Sequence, residues 1–124
     1  MATLIPPIIA EKAPSEVQEI FSKLKEKHGM VPPPLQVMAH NPSMLKLFTE
    51  KFKVLWEENP LDEKTKILIA YTISILNNCA FCINNYTKQA FAAGMTEKEL
   101  LGVLGIIDLV GSMNHFNNGI QLKP

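Results

Sequence analysis

From Leu100 to Val110 the chain is apolar on almost every face: Leu100, Leu101, Val103, Leu104, Ile106, Ile107, Leu109 and Val110, interrupted by Asp108. Read as a helix, such a segment has no polar side to give to water and must be covered all round. Gly102, Gly105 and Gly111 accompany it and let backbones approach closely. A chain of 124 residues has the length for one domain with a hydrophobic core, not for two. One domain of that size supplies little cover for such a helix, so the run predicts a homo-oligomer rather than a monomer that buries the helix centrally. The glycines do not form a nucleotide-binding loop, because no strand precedes them and the phosphate-binding spacing is absent.

The rest of the sequence also reads as helices, and the fold class is all-α. Residues 1–124 are taken as a single domain, with an extended N-terminal arm over about 1–14 that contains Pro6, Pro7 and Pro14. Ser15 with Gln18 has the spacing of a capping box, followed by Val17, Ile20, Phe21 and Leu24 at helical intervals and stopped by Gly29. Pro32-Pro33-Pro34 is read as a rigid turn before a short helix over Leu35–Ala39. Asn41-Pro42 is an N-cap with proline in the first turn, and the helix it opens runs to about Glu58, ended by Asn59-Pro60. Asp62 caps a helix whose body is Ile67–Leu76. Asn77-Asn78 interrupts it, and a further helix runs to about Ala93 and closes at Gly94. Thr96 and Glu99 form another capping box, and the last helix passes Met113 before a turn at Asn117-Asn118-Gly119. Met30, Met38, Met44, Met95 and Met113 are read as core packing.

Charge excludes some classes of function. Lys and Arg number 12, as do Asp and Glu, so no basic excess points to nucleic acid or to an anionic membrane surface. The apolar runs Ile67–Leu76 and Leu100–Val110 are too short by themselves to span a bilayer. The N-terminus lacks a charged region and carries Pro6-Pro7 where a signal peptide needs an apolar helix. The expectation is a cytoplasmic protein that binds neither nucleic acid nor membrane.

The only two cysteines stand three positions apart, in Asn77-Asn78-Cys79-Ala80-Phe81-Cys82. In a reducing compartment such a pair points to catalysis or metal binding rather than to a structural staple. Two thiols at this spacing on a helix can close into a disulfide and so carry two electrons. Cys79 is nearer the helix start, where the dipole and free N–H groups favour the thiolate. Tyr86 follows Cys82 by one turn, and its phenol can donate a hydrogen bond to a thiolate or a peroxide oxygen. With an ordinary pKa of about 10 it does not readily take a proton at neutral pH. His115, near the end of the last helix, is a weaker candidate, reaching the pair if that helix packs against the cysteine helix. His28 is read as a helix-end residue whose protonated ring complements the dipole, His40 as a surface loop residue, and Tyr71 as core.

The stretch Leu61-Asp62-Glu63-Lys64-Thr65-Lys66, the apolar Ile67–Leu76, the cysteine motif, and Ala90-Phe91-Ala92-Ala93-Gly94-Met95-Thr96-Glu97-Lys98-Glu99-Leu100 together resemble the carboxymuconolactone decarboxylase family, in its alkylhydroperoxidase D-like branch. Val31-Pro32-Pro33-Pro34 and Asn41-Pro42 fit the family's N-terminal half, so the resemblance spans nearly the whole chain. It implies an all-α fold built round a helical hairpin, and an oligomer. It also implies that Cys82 is the peroxide-attacking thiol and Cys79 its resolving partner. The branch's proton relay is missing: Ile67 stands at the glutamate position, and Phe81 and Tyr86 stand at the two histidine positions.

These observations point first to a thiol-dependent oxidoreductase that reduces hydroperoxides or disulfides through Cys79 and Cys82, with electrons from an external dithiol. The alternatives are a non-catalytic oligomeric helical protein with inert cysteines, a metal site, or a lactone decarboxylase-type lyase. A zinc reading lacks ligands, since one Cys-x-x-C offers two where structural zinc takes four. No cofactor-binding motif is present, so no cofactor is expected and any flavin or nicotinamide acts through a separate reductase.

Overall fold

The computed structural model describes residues 3–124. Its regular elements are six α-helices with a 3₁₀ turn (Ala10–Lys12) and a π-helical segment (Lys53–Glu57), and no strand occurs among the described residues. The helices are α1 (Ser15–His28), α2 (Pro33–Met38), α3 (Pro42–Phe52), α4 (Glu63–Leu76), α5 (Ala80–Ala92) and α6 (Glu97–Gly119). The chain divides into two compact units, one ending at Asn59 and the other beginning at Pro60. Residues 1 and 2 of the expected arm lie outside the described residues.

In the first unit, Ala13, Val17, Phe21, Leu35, Ala39 and Leu45 form one buried cluster, with Ile8, Ile20, Leu24, Val31 and Met38 packed against it. The arm is tied to α2. Ile8 N–H donates to the Gln36 carbonyl at 3.0 Å, and His40 Nε2 donates to the Pro6 carbonyl at 2.7 Å. At the far end Phe48, Phe52 and Trp56 stack at four-residue intervals, with centroids 6.5 and 5.9 Å apart. The Lys27 ammonium lies 5.6 Å from the Phe52 centroid and pairs with Glu57.

Several local expectations are corrected here. The helix expected to be capped by Ser15 starts one residue earlier. Pro14 is the N-cap, its carbonyl accepts from Val17 and Gln18, and no side-chain cap forms. Gln18 Nε2 instead donates to the Ala13 carbonyl at 2.9 Å. Pro33 and Pro34 do not break helix but open α2, because the first turn of a helix has no internal use for their missing N–H groups. His28 is not a charged cap. Its ring meets Phe52 edge-on, and burial, with Lys27 adjoining, lowers its pKa below the usual imidazole value. Met30, Met44 and Met113 are each about half exposed rather than core. Asn117-Asn118-Gly119 forms the last turn of α6 rather than a loop.

In the second unit α4 and α5 pack together as a helical hairpin, with Ile67, Tyr71, Ser74 and Ala90 buried. Apart from Ser15, the predicted caps form, one in the first unit and two in the second. Asn41 Oδ1 accepts from Met44 at 3.1 Å and Asp62 Oδ1 from Thr65 at 2.7 Å. Thr96 and Glu99 bond reciprocally at 3.0 and 3.1 Å. These backbone donors hold the Asp62 and Glu99 carboxylates below their ordinary pKa values. A carboxylate whose folded pKa is depressed stabilises the fold above its unfolded pKa, and that contribution is lost as pH falls through the folded value. The melting temperature is therefore expected to drop as the buffer is taken from pH 5 to below about 3.8. The double variant Asp62→Asn, Glu99→Gln should drop less. Parallel acid melting curves for the two proteins would remove this assignment.

α6 runs for 23 residues, of which only Leu100 is buried. Leu101, Ile106, Leu109 and Phe116 are each more than 60% exposed, and the helix does not pack along either arm of the hairpin. A Cβ added at Gly102, Gly105 or Gly111 would meet open space. Although the apolar run alone is short, the whole helix is long and apolar enough to cross a bilayer by length and composition. A helix buried between soluble subunits passes the same test.

Candidate active site

The site lies where α4 hands over to α5. α4 ends at Leu76, and Asn78 takes φ +55°, a left-handed conformation that asparagine tolerates better than most residues. The reversal places Cys79 at the N-cap of α5. Two backbone bonds then fix it. Cys79 N–H donates to the Ser74 carbonyl at 3.0 Å, and Ile83 N–H donates to the Cys79 carbonyl at 2.9 Å. Ser74 is itself buried, and its hydroxyl donates to the Ala70 carbonyl at 2.7 Å.

Cys79 and Cys82 are joined as a disulfide, with Cα atoms 5.2 Å apart. Cys79 Sγ also accepts the backbone N–H of Cys82 at 3.3 Å. Sulfur thus fills the capping role usually taken by an oxygen of Ser, Thr, Asp or Asn. Both cysteines are partly buried, neither sealed in the core nor fully open. The arrangement is a two-electron couple at a helix N-terminus, where free N–H groups favour an anion.

Of the other predicted residues, Tyr86 lies on α5 one turn beyond Cys82 and is partly buried. Burial raises its pKa above the usual phenol value, so it stays protonated at neutral pH. Ile67, at the expected glutamate position, is buried in the hairpin, and Phe81 sits in the first turn of α5. Tyr71 is core, 4% exposed. His115 stands in the second half of α6. It is exposed and lies about 22 Å along α6 from Leu100, on a helix that does not pack along α5.

Sequence reasoning did not single out Ser74 or the backbone role of Asn78. The tandem Asn77-Asn78 after an apolar helix was the available signal. A shallow hollow of about 350 Å³ on α4, lined by Thr65, Leu68, Ile69, Thr72 and Ile73, includes neither cysteine. Among the described residues no group of three or more His, Cys, Asp or Glu side chains is placed to hold a metal ion.

The sequence profile of the carboxymuconolactone decarboxylase family matches residues 42–122. An alkyl hydroperoxide reductase of Mycobacterium tuberculosis is 23% identical over 112 residues, covering 89% of this chain and 32% of that protein. The chain thus spans about a third of the length of that curated relative. The crystal structure of the alkylhydroperoxidase AhpD core from Rhodospirillum rubrum superposes with a TM-score of 0.87 at 26% identity. That match covers 100% of this chain and 95% of the other.

Proposed function

Because the chain belongs to the carboxymuconolactone decarboxylase family, we propose that it is a thiol-dependent oxidoreductase that reduces hydroperoxides through Cys79 and Cys82. The observation that carries this reading is the disulfide between those residues at the start of α5. A thiolate attacks the peroxide, its O–O bond breaks, and an alcohol leaves. The second thiol then displaces water from the oxidised sulfur and closes the disulfide. An external dithiol returns the two electrons, as a reducing cytoplasm would provide. Small disulfides are a second substrate class for the same couple.

Tyr86 is given the role of a neutral hydrogen-bond donor near the reacting oxygen. With Ile67, Phe81 and Tyr86 at the relay positions, no acid or histidine on the hairpin moves protons. A general base commonly contributes a hundredfold or more, so turnover should be slow beside a protein with the relay. His115, exposed on α6, is given no step. The exposed α6 supports assembly of several copies, since its apolar side chains have no other cover within the protomer.

The test is a thiol count on the reduced, folded protein before and after one equivalent of an alkyl hydroperoxide, with intact mass recorded. Loss of both thiols with a mass decrease of about 2 Da, two hydrogens for one disulfide, is expected. Two thiols that survive, yet react after denaturation, would leave an inert helical protein.

A further inference from the structure

The two sulfurs of the pair are not equivalent, and their difference runs against the order that the family resemblance implies. Cys79 occupies the N-cap, where its Sγ accepts the Cys82 N–H at 3.3 Å. That donor belongs to the backbone and remains after reduction, when the sulfur it faces would carry a full charge. Hydrogen bonding to the charged form favours that form. The sulfur of Cys82 lies inside the first turn, beyond the N-cap. In a relative with the relay, an acid and histidines would offset that disadvantage. Here the corresponding positions hold Ile67, buried in the hairpin, Phe81, and Tyr86, whose partly buried phenol stays neutral.

We propose that Cys79, not Cys82, is the attacking thiol of this chain, and that Cys82 is the resolving one. The proposal rests on the reading of the pair as a hydroperoxide-reducing centre. The Cys79 thiolate attacks one peroxide oxygen. A sulfur–oxygen bond forms, the oxygen–oxygen bond breaks, and the leaving alkoxide takes a proton to become an alcohol. Sulfur is oxidised by two electrons and the peroxide is reduced by two. The Cys82 thiol, losing its proton, then attacks the Cys79 sulfur, and hydroxide departs as water with that proton. The disulfide that results is the one in the structure, and an external dithiol reduces it again.

Single-cysteine proteins test this directly. Cys82→Ser leaves Cys79 alone with the backbone donor intact, because the N–H of residue 82 is unaffected. Cys79→Ser leaves Cys82 alone, and serine preserves the cap and hence the helix start. Two readouts are taken on each: the rate of iodoacetamide alkylation against pH, and the rate of sulfenic acid formation with an alkyl hydroperoxide, trapped by dimedone. The lone Cys79 is expected to alkylate with a midpoint below the ordinary thiol value of about 8.5, and to form sulfenic acid at least about tenfold faster than the lone Cys82. A lower midpoint and faster reaction for the lone Cys82 would overturn the proposal while leaving the hydroperoxide reading intact, provided the wild-type protein loses both thiols. If the wild-type protein keeps both thiols under hydroperoxide, the functional reading falls and this one falls with it.

Discussion

A variant carrying Ile106→Lys and Leu109→Lys should run as single chains under conditions where the unaltered protein assembles. Both side chains are 64% exposed in the isolated protomer. Around them Leu101, Val110, Met113 and Phe116 are at least half exposed as well, so the apolar surface is continuous along the helix. Burying a large aliphatic side chain contributes about 1.5–3 kcal/mol. Removing two of them from an interface therefore weakens association by about two to four powers of ten, at 1.4 kcal/mol per power. Lysine adds a penalty where its ammonium would be desolvated against apolar neighbours. The three glycines point the same way. Each weakens a helix by about 1 kcal/mol relative to alanine, and nothing inside the protomer requires them to be small. Light scattering on both proteins decides the matter. If the double variant keeps the mass of the unaltered assembly, α6 does not form the interface.

The second large effect is expected in the first unit. Phe21 is 3% exposed, at the centre of the cluster with Val17, Leu35, Ala39 and Leu45. Phe21→Ala should destabilise the fold by about 3–5 kcal/mol, the sum of lost transfer energy and a cavity that its neighbours fill only in part. Against a total stability of about 5–15 kcal/mol for a domain, that is roughly a fifth of the margin or more. The denaturant midpoint reports it, and a midpoint within error of the unaltered protein would mean that this cluster contributes little. The cysteine pair serves as an internal control, because Phe21 and the pair belong to different units. Below the transition, the reaction of the thiols with hydroperoxide should be unchanged.

How much of this was legible in the sequence follows the range of each interaction. Asn41, Asp62 and the Thr96–Glu99 pair cap their helices as their spacing indicates, because a cap bonds backbone three residues away and needs nothing else. The cysteine pair was legible for a similar reason, whereas the hairpin that carries it was implied by the family resemblance. Ser15 failed because a competing residue stood next to it: the Pro14 carbonyl accepts the first two helical N–H groups, and that choice leaves no trace in composition. Pro33 and Pro34 failed because proline punctuates a helix in two ways, and position within the turn decides which. The placement of α6 was not readable, since periodicity gives direction only to a helix with one apolar side. The unequal environment of the two sulfurs depends on which residue occupies the N-cap, a distinction of one position that sequence patterns do not resolve.

One detail of the handover between α4 and α5 bears on how the couple cycles. The amide of Cys79 is spent on Ser74 and its carbonyl on Ile83, so each backbone group of the residue is committed to a different helix. Neither bond involves sulfur. Opening the disulfide therefore leaves both of these backbone-to-backbone bonds in place. The motion left to the site is rotation of two short side chains. In the proposed cycle the pair would be a switch mounted on a fixed frame, with little to rebuild between strokes.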